Sequence, residues 1–203
     1  MALIDGWEML NFTCFKTPLA KVEAAVREVF AGDIPAGKRV FETGPLDLDR
    51  VKIGDPKVGA ATGSSVVLFS PMTAPALCCF VSDAQDGWYT LGNVLCSKLR
   101  CEAFKISMSL PSRDYPINQL IAYAEGEDIR WVRAMQDDPN WEFLSRGALL
   151  PVERPEYYKK RRIRDRLTRE ILVGYMQELG IDIADDDFWR AAGPAFYVIW
   201  RHF

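Results

Sequence analysis

Histidine, a common proton carrier and zinc ligand, occurs only once in this 203-residue chain. The single histidine, His202, is the penultimate residue. Catalysis by a Ser-His-Asp or Cys-His arrangement would therefore depend on the end of the chain, as would a histidine-based zinc site, and we expect neither. The five cysteines show no CxxC spacing, and their odd number does not fit a disulfide scaffold.

The cysteines also lack the surroundings that activate a thiol. Cys78 and Cys79 lie in an apolar run, which predicts buried side chains. Cys101 follows a predicted helix, and the helix dipole disfavours a thiolate at that end. Acid–base chemistry by two carboxylates stays open as an alternative function, because 28 Asp and Glu residues allow many pairs and the sequence favours none of them.

A glycine-rich segment spans residues 54–65. It lacks the GxxxxGK[ST] pattern and leads into a predicted strand, whereas a phosphate-binding loop leads from a strand into a helix. The segment therefore predicts a surface loop, and we expect no cofactor.

Charge is strongly segregated near the C-terminus. Residues 154–169 hold eight cations against Glu156 and Asp165, a net charge of +6, and residues 170–187 hold six anions and no cation, a net charge of −6. The basic block, with Tyr157 and Tyr158 for stacking, is typical of a nucleic-acid-binding module. The whole chain carries −3, however, so we treat nucleic acid as an alternative and not as the expected partner.

The acidic block has its own alternatives. Its core is Asp182, Asp185, Asp186 and Asp187. This spacing does not match an EF-hand loop, so we expect no metal, and Asp185 is explained as a helix N-cap. An anionic surface that attracts a basic protein partner is the functional interpretation.

A second pair of acidic residues joins that predicted surface. Glu125 and Glu127 flank Gly126 in a predicted hairpin turn, and we assign them to partner binding together with the four aspartates. Six tryptophans are many for this length, and a surface tryptophan would mark a binding hot spot.

Composition bounds the class and compartment. The chain is 49% apolar and 26% charged, which is typical of a globular protein. Residues 1–8 show no basic region followed by an apolar stretch, and no run approaches the length of a membrane-spanning helix. With the cysteine pattern, this predicts a cytoplasmic protein that does not bind membranes.

The elements that must position these residues follow from periodicity. The first helix is predicted to begin with Thr17 as N-cap and Pro18 as first residue, and a late helix with Thr168 as N-cap and Gly180 as its stop. Further helical segments are predicted over 88–99, from Pro155 onwards and over 185–190. Leu10, Phe12 and Cys14 alternate with Asn11 and Thr13, which predicts a strand over 10–15 with one buried face. Further strands are predicted over 38–42, 50–53, 65–69, 76–81, 103–109, 118–124, 128–135, 141–145 and 195–200.

This order of elements predicts the fold class. Strands that follow one another in runs favour a mainly antiparallel sheet with helices packed on it, an α+β fold. We expect one domain over residues 1–203, with 152–203 as a docked helical C-terminal segment and closing strand.

Scattered residues over roughly the C-terminal two-thirds of the chain carry a resemblance to other proteins. They are Asp86-Gly87-Trp88, Trp141-Glu142-Phe143, Gly147, Pro151-Val152-Glu153, Tyr158, the run 161–168, Tyr175 and Leu179-Gly180. The chain resembles uncharacterised bacterial proteins that are similar to the immunity partners of polymorphic toxins. The resemblance implies a cytoplasmic, non-enzymatic protein that binds a cognate toxin domain and occludes its active site. It carries over no catalytic residue.

Overall fold

Antiparallel strands build the frame of the molecule in the computed structural model, which describes residues 3–51, 65–84 and 86–200. In these ranges nine strands form one sheet, in the order β2-β9-β3-β4-β1-β5-β6-β7-β8. The strands are β1 (Met9–Phe15), β2 (Arg39–Gly44), β3 (Ser65–Phe69), β4 (Cys78–Ser82), β5 (Ala103–Ser109), β6 (Ile117–Ala124), β7 (Glu127–Asp137), β8 (Asn140–Gly147) and β9 (Ala195–Trp200). The predicted α+β class with a mainly antiparallel sheet is confirmed.

Helices cover both faces of this sheet. The α-helices of the described residues are α1 (Leu19–Val29), α2 (Tyr89–Leu99), α3 (Pro155–Tyr158) and α4 (Arg169–Glu178). Short 3-10 helices span Leu3–Gly6, Leu48–Val51, Ile163–Asp165 and Asp186–Trp189. The last of these begins after Asp185, whose side chain accepts a hydrogen bond from the Asp187 amide at 2.9 Å, as the N-cap prediction requires.

The core is divided into two clusters, one on each face. On one face Leu10 and Phe12 of β1 pack with Leu172 and Met176 of α4. On the other face Phe15 packs with residues of α1 and α2. Because side chains of a strand alternate between faces, a sheet covered on both sides buries every residue of its central strands. The expectation that only one face of β1 is buried is therefore wrong.

Several helix and strand boundaries in the structure differ from the predicted ones. Pro18 and not Thr17 is the N-cap of α1, and no side-chain hydrogen bond caps that helix. The predicted strand over 50–53 is wrong for Arg50 and Val51, which belong to a 3-10 helix, and residues 52–53 lie outside the described residues. Pro155 begins a helix as predicted, but α3 is only four residues long.

The C-terminal strand lies inside the sheet. β9 pairs with β2 on one side and with β3 on the other, so its neighbours come from the N-terminal half of the chain. The bend that leads into β9, residues 190–194, lies at the same edge of the sheet as the end of β2, because Ala195 pairs with Gly44. This register brings two loops that are distant in the sequence to one place.

Candidate partner-binding cleft

A cleft of about 960 Å³ opens at the edge of the sheet where β2 ends and β9 begins. We call it the acidic cleft. It is lined by Leu3, Trp7, Thr43, Gly44, Pro45, Leu46, Asp47, Leu48, Asp49 and residues 189–194. Its volume lies at the upper end of the range of roughly 300–1,000 Å³ that is common for ligand sites.

Two indoles form the floor of the acidic cleft. The rings of Trp7 and Trp189 lie 5.8 Å apart, and Trp189 also contacts Phe12 at 5.6 Å between ring centres. The Trp189 indole N–H donates to the Ile183 carbonyl oxygen at 2.8 Å. A buried indole with its N–H satisfied is a rigid apolar surface, so the floor is preformed.

Tyr197 of β9 holds one wall in place. The Asp47 amide donates to the Tyr197 hydroxyl at 2.7 Å, and that hydroxyl donates to the Pro45 carbonyl oxygen at 2.7 Å. The Asp49 amide donates to the Asp47 side chain at 3.1 Å. In this segment the leucines are partly buried while Asp47 and Asp49 are exposed.

The aspartates predicted for partner binding supply the rim beside the opposite wall. Asp186 accepts a hydrogen bond at 2.5 Å from the amide of Leu3, which lines the cleft. Asp187 pairs at 2.9 Å with Arg190, which is the one cation among the described lining residues. Asp185, Asp186 and Asp187 are all exposed to solvent, and the last two contact residues that line the cleft.

The other predicted partner-binding residues lie elsewhere. Asp182 is half-buried after α4, where it accepts a hydrogen bond from Gln177 at 3.3 Å, and it does not line the cleft. Glu125 and Glu127 belong to the β6–β7 hairpin turn, and four strands separate β6 from β9 in the sheet. Gly126 of that turn packs against Ser97 of α2, on the face opposite α4. The structure therefore does not unite the six residues in one surface.

Sequence reasoning missed the Pro45–Asp49 wall. A usable signal was present, since Leu46 and Leu48 alternate with Asp47 and Asp49 directly after a predicted strand. That alternation indicates a segment with one apolar and one acidic side. Its proximity to Asp186 depends on the pairing of β2 with β9, which the sequence does not show.

The cations of the basic block fall into two groups, because some form contacts within the protein and others remain exposed to solvent. Arg154 binds Glu178 at 2.8 Å, and Arg169 is buried and donates to the backbone oxygens of Ile4 and Trp7. Within 154–187 the Arg154–Glu178 pair is the only ion pair that joins the basic block to the acidic one. The cations that remain exposed are Lys159, Lys160, Arg161, Arg162 and Arg164.

The thiols show no activation for chemistry. All five cysteines are free, and Cys14, Cys78, Cys79 and Cys96 are buried. Burial raises the pKa of Cys96 to about 12, and it also raises the pKa of the half-buried Cys101. These two groups are therefore protonated thiols near neutral pH, a state unsuited to nucleophilic attack.

A buried charged network fixes the C-terminal segment to the sheet. Arg130 of β7 and Glu153 form two parallel hydrogen bonds of 2.8 Å, and both side chains are at most 1% exposed. Glu153 also accepts from the Leu150 amide at 2.8 Å and from the Tyr158 hydroxyl. Burial and the adjoining Glu153 raise the pKa of Tyr158. Since every oxygen is occupied by protein donors, this network is structural.

No family model, curated protein or solved structure matches the chain. In residues 3–51, 65–84 and 86–200, no group of three or more His, Cys, Asp or Glu side chains is placed to hold a metal ion. None of the helices in those ranges is long and apolar enough to cross a membrane. The acidic cleft is therefore interpreted on its geometry and charge alone.

Proposed function

We propose that this chain is a protein-binding protein whose acidic cleft receives a basic, partly apolar segment of a partner protein. One observation carries the proposal: Asp47 and Asp49 line a preformed apolar hollow with an indole floor. Two further exposed carboxylates, Asp186 and Asp187, contact its lining residues Leu3 and Arg190. Apolar contacts supply affinity in such a hollow, whereas the charges steer association and select the partner.

The resemblance to immunity proteins of polymorphic toxins suggests what the partner is. In this proposal it is a toxin domain that acts on nucleic acid or another anionic substrate, whose basic active site would be complementary to the acidic cleft. The chain acts by occlusion and performs no reaction of its own. The cytoplasm is the proposed compartment, and the five free thiols support a reducing environment.

Capture from the lysate of the source organism tests this function with three forms of the full chain. The first is the wild type, and the second carries Asp47→Asn, Asp49→Asn, Asp186→Asn and Asp187→Asn. The amide oxygens of asparagine still accept hydrogen bonds, so this cleft variant loses charge and keeps its local geometry. The third carries Glu125→Gln and Glu127→Gln, a matched loss of charge at the remote hairpin.

We expect the wild type and the hairpin variant to capture one basic protein stoichiometrically and to inhibit it when it is produced alone. The cleft variant should associate with that protein about tenfold more slowly or worse, with a weaker dependence on salt. Equal association rates for the cleft variant and the wild type would contradict the proposal. A loss confined to the hairpin variant would move the site to Glu125 and Glu127.

A further inference from the structure

A second concave region lies on the α4 face of the sheet, at the edge farthest from the acidic cleft. It consists of two hollows that share Trp141 and Arg164, one of about 300 Å³ and one of about 570 Å³. The smaller, inner hollow is lined by Ser109, Pro111, Pro116, Asn118, Trp141, Arg164, Asp165, Thr168, Arg169 and Glu170. The larger, outer hollow is lined by Asn140, Trp141, Arg162, Ile163 and Arg164.

The inner hollow is rich in hydrogen-bond acceptors. Asp165 and Glu170 line it together with Arg164 and Arg169, so the charges of its lining residues balance. Asn118 is 8% exposed, and its side-chain oxygen has no hydrogen-bond partner among the described residues. A buried amide oxygen without a partner is unfavourable, so a ligand group with N–H donors would be stabilised beside it.

The outer hollow has the opposite character. Arg162 and Arg164 line it, both are exposed, and none of the described residues of its wall is acidic. Arg162 forms no ion pair within the described residues, and Arg164 lies 3.8 Å from Asp165, beyond hydrogen-bond distance. Arginines that line one hollow are suited to a phosphate, because a guanidinium group can bind two phosphate oxygens through parallel hydrogen bonds.

Trp141 stands where the two hollows meet. Its side chain is half-buried and packs against the core on the α4 face, which fixes the position of the indole. A planar, donor-bearing ring in the inner hollow can stack on this indole while an attached anion reaches Arg162 and Arg164. The required ligand has an aromatic ring with amino groups at one end and a phosphate at the other.

We infer that these two hollows bind a nucleoside monophosphate whose base carries an amino group. The base occupies the inner hollow between Trp141 and Asn118, and the phosphate occupies the outer hollow. Because the chain carries a net charge of −3, a free nucleotide fits better than a long nucleic-acid strand. This inference is independent of the acidic cleft and uses none of its residues.

Isothermal titration calorimetry of the full chain tests the site with GMP, AMP, CMP and UMP, and with guanosine and inorganic phosphate as partial ligands. We expect binding of one GMP per chain, with guanosine and phosphate each at least about tenfold weaker, since each partial ligand makes half of the contacts. UMP, whose base has no amino group, should bind more weakly than GMP.

Two variants locate the binding. Trp141→Leu keeps an apolar side chain but removes the stacking surface, and Arg164→Gln removes one phosphate contact from an exposed position. Each should weaken GMP binding about tenfold or more. Lys21→Gln, an exposed cation on α1 at the opposite face, is the matched control and should leave binding unchanged. Thermal unfolding of each variant verifies the fold, and Arg164→Gln suffices if Trp141→Leu is unstable.

Three results would overturn the inference. The first is no saturable binding of GMP, AMP or CMP at millimolar concentration. The second is binding that Arg164→Gln leaves unchanged, and the third is UMP binding as tight as GMP binding. A single-stranded RNA tetramer distinguishes the two sources of such a nucleotide, and tetramer binding that is tighter than GMP binding would overturn the assignment to a free nucleotide.

Discussion

Two arginine–glutamate pairs of nearly identical length play different roles in this molecule. Arg130 binds Glu153 through two nitrogens at 2.8 Å with both side chains at most 1% exposed. Arg154 binds Glu178 through one nitrogen at 2.8 and 2.9 Å with side chains 40% and 48% exposed. The two pairs therefore differ in their exposure to solvent and not in their hydrogen-bond distances. Water competes for the second pair and not for the first.

The comparison extends to the rest of the charged surface. Both carboxylate oxygens of Glu153 accept hydrogen bonds from protein donors, and these bonds join β7 to the segment before α3. The aspartates of the acidic cleft keep their charges in contact with solvent, where a partner can reach them. Buried charge thus organises the fold in this protein, while exposed charge remains available for recognition.

The largest effect is expected from breaking the buried pair. Glu153→Gln leaves the Arg130 guanidinium buried without a compensating charge, so the free energy of unfolding should fall by about 3–5 kcal/mol. Urea unfolding followed by circular dichroism measures the change. If the free energy of unfolding falls no more than it does for a substitution at an exposed site, water reaches the Arg130–Glu153 pair. The buried and the exposed pair would then not differ in solvation.

A double-mutant cycle sharpens that result. Arg130→Met should also destabilise the protein, because Glu153 is then left unpaired. The double variant Arg130→Met with Glu153→Gln has no buried charge at this pair and should be more stable than the sum of the two single losses predicts. Simple additivity would mean that the two side chains act separately.

Lys105 offers a buried charge without a direct carboxylate contact. Its ammonium is 2% exposed, donates to the Asp86 carbonyl oxygen at 3.0 Å and lies 4.6 Å from the Tyr89 ring centre. Burial lowers the pKa of Lys105 to about 8, against the opposing charge of Asp86. Between pH 8 and about 10.5 the unfolded chain therefore binds more protons at this site than the folded protein does.

The sign of the resulting pH dependence follows. Lys105 makes the free energy of unfolding rise with pH across this window, by at most about 1.4 kcal/mol per pH unit. Lys105→Met should lack that rise, and the difference between the two proteins isolates this group, since all other titratable residues are common to both. Parallel curves from urea unfolding at pH 8, 9 and 10 would mean that Lys105 keeps an ordinary pKa in the folded protein.

The smallest effect is expected at the exposed pair. Glu178→Gln removes the charge that binds Arg154, but solvent replaces it, so the thermal unfolding midpoint should not move measurably. A loss comparable to that of Glu153→Gln would show that Arg154 supports the C-terminal segment through this pair. The exposed fractions of the two pairs would then not explain their roles.

The sequence was most informative where a local rule acts alone. Thr168 caps α4, accepting from the Ile171 amide at 3.4 Å, and Gly180 follows that helix with a φ of 79°. Asp185 caps the turn before Trp189. These features depend on neighbours a few residues away, so residue types and spacing were sufficient to predict them.

Burial was less accessible to sequence reasoning. The polar residues Asn11 and Thr13 predicted a solvent-facing side of β1, but both are at most 2% exposed under the helices of the second face. The polar pattern shows which residues are hydrophilic, but it does not show whether another element of the fold covers them. The coverage depends on where α1 and α2 pack, which is a long-range property.

The sequence by itself determined the α+β class, most of the strands, the caps at Thr168 and Asp185 and the two oppositely charged blocks. Only the tertiary structure decided which charges are buried, and that the two blocks share a single ion pair. It also placed β9 between β2 and β3, which brings the Pro45–Asp49 wall to Trp189 and forms the acidic cleft. The physical reason is that caps and periodicity act over a few residues, whereas strand pairing and desolvation depend on contacts across the whole chain.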